Sequence, residues 1–155
     1  MRKERRKSID NSKGMCYYQS EHTFDLRIVE DKRMSRIERF DVNENWAHSG
    51  MIKAGDFYFL NYCAGNVGQS IEAQINGAID QMENRFKLVG LSLENVVQMD
   101  CLFRDVWNIP IMEKVIKERF NGKYPVRKSI QTEFAHTGGE KGLQFQIDGI
   151  AYSGK

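Results

Sequence analysis

From Ser70 onward, apolar side chains recur three and four residues apart: Ile71, Ile75, Ala78, Ile79, Met82, Phe86 and Val89. That spacing lays one stripe along one face of a helix, with Ser70 as its N-cap and Gly90 as its stop. A second stripe of Ile111, Met112, Val115, Ile116 and Phe120 follows Asn108 and Pro110, which suit a helix start, and ends at Asn121-Gly122. Elsewhere the period is two, the mark of strands. Arg36 to Val42 alternates polar and apolar, Gly50 to Gly55 reads as a short strand with a turn, and Phe57 to Tyr62 is aromatic-rich. Val97, Met99, Cys101 and Phe103 form the dry face of a further strand. Tyr124-Pro125 forces extended chain, after which Lys128, Ile130, Thr132 and Phe134 share one face. A glycine-rich turn, His136 to Gly142, leads into a last strand with Leu143, Phe145 and Ile147 on one side and Gln144, Gln146 and Asp148 on the other. The order β-β-α-β-α-β-β implies an α+β two-layer sandwich, two helices against one mixed sheet. The sheet face that the helices leave open carries Gln146, Asp148 and Tyr152, and meets solvent or another subunit.

Composition narrows the setting. The chain has 155 residues, enough for one domain, with 28% charged and 41% hydrophobic side chains. Apolar runs such as Phe57 to Leu60 fall far short of the ~18 residues that a membrane span requires, and no apolar N-terminal leader is evident, so a cytoplasmic protein is expected. Cys16, Cys63 and Cys101 are odd in number and lack CxxC spacing, which reads as reduced thiols. The net charge of +2 divides unevenly: residues 1–33 hold 9 Lys/Arg against 6 Asp/Glu, and residues 34–155 hold 14 against 15. The basic head can touch nucleic acid or an acidic membrane, but a short charge run more commonly stays solvated. Because strand patterning begins directly after Met34, residues 1–33 are expected to be a flexible, dispensable extension, and residues 34–155 the domain. A body with net charge −1 offers nucleic acid little electrostatic pull.

The chemistry-bearing residues are sparse. His22, His48 and His136 belong to no HExxH motif or Cys/His cluster, so no metal is expected. There is no GxSxG, P-loop or GxGxxG, and Gly65-Asn-Val-Gly68 reads as a turn rather than a phosphate cradle. Residue types alone lead to an α+β domain that oligomerises, and no further.

One ordered set of segments goes beyond this. Tyr124-Pro-Val-Arg127, followed by a strand, a glycine turn and Leu143-Gln-Phe-Gln-Ile-Asp-Gly-Ile-Ala151, resembles the C-terminal signature of the RidA/YjgF family. Ile71-Glu-Ala-Gln74, Val89 to Val97 and Phe103-Arg-Asp105 extend the resemblance over roughly residues 34–152. It implies a chorismate-mutase-like fold assembled as a homotrimer, with three clefts between subunits. It further implies hydrolysis of reactive enamines and imines, such as 2-aminoacrylate, to 2-oxo acids and ammonia with no cofactor. Other members are assigned ribonuclease activity or ligand binding alone.

By the same resemblance Arg127 is the carboxylate-binding residue, and a planar guanidinium grips a carboxylate with two parallel hydrogen bonds. Read from residue type alone, Arg127 serves equally well in an intersubunit salt bridge, and a guanidinium locked onto an acidic partner of its own chain would leave no grip. Ser129 stands where the family presents a backbone group to the ligand, His48 where an aromatic residue lines the pocket, and Asn61, Tyr62 and Cys63 near the ligand-binding strand edge. The family's water-positioning Glu on the last strand falls at Gln146, which orients water but takes no proton as a carboxylate does. Asp148 lies two residues on, on the same face. A helix Asn of the pocket falls at Pro110 by ungapped counting. Both changes leave open a non-catalytic binder of small carboxylates.

Overall fold

The computed structural model describes residues 37–134 and 142–154. The expectations for residues 1–33 and Cys16, and for most of the His136 to Gly142 turn, lie outside them. Six strands, β1 (Glu38–Asn43), β2 (His48–Ala54), β3 (Phe57–Cys63), β4 (Val96–Phe103), β5 (Val126–Gln131) and β6 (Phe145–Tyr152), form one sheet in the order β1-β2-β3-β6-β4-β5. Only β4 and β5 run parallel, joined through α2 (Ile109–Phe120); β3 leads to β4 through α1 (Ile71–Lys87). α1 lies over β3 and β6 and against α2. This is the expected α+β sandwich with a mixed sheet and two helices.

Three details of the expected pattern are corrected. The sheet has three strands before α1 rather than two, because Gly50 to Gly55 belongs to a full strand starting at His48. A bulge in β4 between Val96 and Gln98 inverts the facing there, so Val96 is buried and Val97 is exposed. β5 stops at Gln131, short of Thr132 and Phe134. Val89 lies just past the end of α1 yet still packs against the core.

The core fills the layer between helices and sheet. Ile75, Ile79, Met82 and Phe86 of α1 and Met112, Val115 and Phe120 of α2 meet Met51, Met99, Cys101, Phe103, Phe145 and Ile147 of the sheet. Phe103 and Phe145 are register partners whose rings pack edge-on at 4.8 Å. Both helix starts follow from local chemistry. The Ser70 hydroxyl accepts from the Ala73 N–H, and Asp105 Oδ1 accepts from the Trp107 N–H to cap the short turn leading into α2. Asn121, at φ 46°, ends α2 in the left-handed conformation.

Where α1 crosses the loop after β3, two backbones touch. A Cβ on Gly77 would lie 2.8 Å from the Gly65 carbonyl carbon and 2.8 Å from Asn66 Nδ2. Alanine in mid-helix ordinarily gains about 1 kcal/mol over glycine, but overpacking costs about 1–3 kcal/mol. Gly77→Ala is therefore expected to destabilise the fold by about 1–2 kcal/mol, read as a lowered thermal midpoint.

Candidate functional site

The expected site residues fall in three places. At one end of β2 and β3, Asn61 Nδ2 lies 3.1 Å from His48 Nδ1, and the His48 and Tyr62 rings are 6.3 Å apart. Beneath them Arg85 of α1 gathers the irregular end of β3. Its NH1 donates to the Tyr62 carbonyl at 2.9 Å and to Cys63 Sγ at 3.4 Å, and its NH2 pairs with Asp41 at 3.3 Å. Arg85 was not singled out from the sequence; a lone cation on an amphipathic helix carries no distinguishing signal.

Arg127 lies on β5, the strand at the sheet's edge, on the face that the helices cover. Its NH2 donates to Glu113 Oε1 at 2.9 Å and its NH1 approaches Met112 Sδ at 3.8 Å, both on α2. Ser129 is two residues on, on the same face. Met99, Glu113, Ile116, Lys117, Tyr124, Pro125 and Arg127 line a cleft of about 430 Å³, within the size range of small-molecule sites. Pro110 sits in the first turn of α2, and it is Glu113 that reaches the guanidinium.

The Glu113 contact is the internal acidic partner that would matter if it were tight. The pair is close, at 2.9 Å, but the two side chains are 28% and 45% exposed, and exposed pairs contribute about 0.2–1 kcal/mol. No other hydrogen bond of the guanidinium is made among the described residues, so donors beyond the Glu113 and Met112 contacts remain on Arg127.

Gln146 and Asp148 lie on the other face of the sheet. They alternate with buried Phe145 and Ile147, and Asp148 is the register partner of Asp100, whose carboxylate is 3.7 Å from Lys128 Nζ. Asp100 Oδ1 is buried without a hydrogen-bond partner among the described residues. Burial, and then the Asp100 charge opposite, push the Asp148 carboxyl above its usual range, with Lys128 opposing. Within one chain Arg127 and Gln146 therefore do not meet.

Register ties the first two places together. Cys63 pairs with Ile147, Ile147 with Cys101, and Cys101 with Ser129. Asn61–Cys63 and Arg127–Ser129 thus stand at one height, separated by β6 and β4, three strand spacings or roughly 14 Å. Among the described residues no three His, Cys, Asp or Glu side chains converge as a metal site requires, and no helix is long and apolar enough to cross a membrane.

Cys63 and Cys101 are fully buried free thiols. Burial pushes Cys63 up to about 11 and Cys101 up to about 12, with the Arg85 and Arg127 guanidiniums pulling the other way. The native thiols keep protons that the unfolded chain releases near pH 9, so their stabilisation is complete below that pH and is lost as pH rises toward 11–12. The urea midpoint is expected to be lower at pH 10 than at pH 8, and peptide mapping after brief thiol labelling at pH 8 should find both residues unmodified. Rapid native labelling of either would contradict this.

Comparison with solved structures decides the relationship. A protein from Streptococcus pyogenes, described as a member of the yjgF family, is 71% identical over 79% of this chain and 100% of its own, with a TM-score of 0.74. The chain belongs to the RidA/YjgF family. NMB1025 from Neisseria meningitidis, of the YjgF family, shares the fold at 17% identity and a TM-score of 0.69, over 78% of this chain and 98% of that one. Rv2704 from Mycobacterium tuberculosis, of the YjgF/YER057c/UK114 family, does so at 19% and 0.66, over 76% and 99%. No family model and no curated protein matches the chain.

Proposed function

We propose that this RidA/YjgF protein hydrolyses small enamine and imine intermediates of the 2-aminoacrylate type to 2-oxo acids and ammonia, without a cofactor. The observation that carries this reading is the Arg127 guanidinium at the cleft, with donors beyond its contacts to α2. A 2-imino acid held there by its carboxylate presents its C=N carbon to water. An iminium carbon is already electrophilic, so orientation and fixed dipoles supply much of the acceleration.

The site is completed between copies of the chain in a homotrimer. Two features support this: Arg127–Ser129 and His48, Asn61, Tyr62 and Cys63 stand at one height on strands too far apart to share a small ligand. The open face of the sheet, moreover, exposes Phe57, Phe59 and Tyr152, an apolar patch of the kind that marks an interface. Light scattering should give about three times the 18.0 kDa chain mass.

Generating 2-aminoacrylate with a PLP-dependent dehydratase and following keto-acid release tests the activity. Acceleration by the protein, lost in Arg127→Ala, is the expected result; a wild type no faster than the spontaneous reaction would remove the reading. Gln146 favours a second one, a non-catalytic binder of small carboxylates, which predicts thermal protection by 2-oxobutyrate without turnover.

A further inference from the structure

We propose that Glu113 is the acid–base residue of the Arg127 cleft, taking the proton of the water that attacks a bound imine and returning it to the departing nitrogen. The inference rests on the imine-hydrolysing reading above and names the group that would serve it. Glu113, Ile116 and Lys117 follow the i, i+3, i+4 spacing that puts side chains on one face of a helix, and all three line the cleft. Among the cleft's polar side chains, Arg127 and Lys117 are donors without acceptor capacity, and Tyr124 offers a single phenolic hydroxyl. Glu113 is the one carboxylate.

Its geometry suits the task. Oε1 holds the Arg127 NH2 at 2.9 Å, while Oε2 makes no bond among the described residues. A ligand carboxylate on the remaining donors of the same guanidinium sits beside Glu113. The imine carbon, one bond from that carboxylate, is then reachable from Oε2 through a single water. Gln146 and Asp148 of the same chain face away through the sheet.

The steps balance without a redox partner. Water oxygen bonds to the iminium carbon, the C=N π pair moves to nitrogen, and Glu113 takes the water proton, leaving a carbinolamine. Glu113 passes that proton to the amino nitrogen. The C–N bond then breaks to release ammonia as the hydroxyl oxygen forms C=O and gives its proton to Glu113, which hands it to ammonia. The products are a 2-oxo acid and ammonium, and Glu113 is ionised again.

The test compares the full-length wild type with Glu113→Gln and Glu113→Asp in the dehydratase-coupled assay. Glutamine keeps an oxygen for Arg127 but takes no proton, so kcat should fall about 10²–10⁴-fold with KM changed less than about threefold. Aspartate should restore part of kcat, and thermal protection by 2-oxobutyrate should persist in both. Wild-type kcat in Glu113→Gln, or a loss confined to KM, overturns the assignment while leaving the hydrolase reading intact. A wild type without acceleration overturns both.

Discussion

Arg127→Lys should abolish thermal protection by 2-oxobutyrate almost as completely as Arg127→Ala. Lysine keeps the charge but places it on a compact, rotating ammonium that cannot make two parallel bonds to one carboxylate. Hydrogen bonds to charged groups contribute about 1.5–3 kcal/mol each, so losing a pair weakens binding by about 10²–10⁴-fold. The apparent Kd from a ligand-dependent shift in Tm measures this directly. Stability without ligand should change little, because the broken contact is the half-exposed pair with Glu113. A lysine variant protected as well as the wild type would show that the carboxylate binds elsewhere.

A second large effect is expected far from the cleft. Gln74 is the one fully buried polar side chain among the described residues. Its Nε2 donates to the Gln69 carbonyl at 3.0 Å and the Gly142 carbonyl at 2.8 Å, and its Oε1 accepts from the Gln144 N–H at 2.9 Å. One amide thus fastens α1 to the chain entering β6. Gln74→Leu matches the volume and strands three backbone groups, each costing about 1–3 kcal/mol. A loss of about 3–5 kcal/mol, or a fall in Tm of about 10 °C, should follow. Gln74→Glu should be at least as damaging at neutral pH, because an ionised carboxylate loses both donations and buries a charge. A Tm within 2–3 °C of the wild type, well inside the shift expected, would mean that this loop is held by other contacts.

The sequence made the helices plain because each carries an uninterrupted stripe ending in a left-handed or glycine residue. Gln74 sat on the first stripe, between Ile71 and Ile75, and a polar residue in that position is the available sign of a buried bond. β2 was harder, since Gly50 supplies no side chain to its alternation, and the bulge at Val97 is a property of pairing that one strand cannot announce. The site divides in the same way. Arg127 was legible as a candidate from the Pro-x-Arg segment. Glu113 was not, since it shares the polar side of α2 with Lys114 and Lys117 and only packing selects it. The facing of Gln146 relative to Arg127 was also hidden. Alternation orders side chains within a strand, but the phase between strands depends on register, here Ile147 to Cys101 to Ser129.

That phase has a consequence for how such a chain diverges. The sheet stands as a wall between the guanidinium and the Asp100–Asp148 pair, each surface drawing on alternate residues of the same strands. Replacing every second side chain of β6 can recast the charge and shape of one surface while the cleft beneath α2 keeps its chemistry. Position 146 can thus vary on one surface while the surroundings of Arg127 on the other stay as they are.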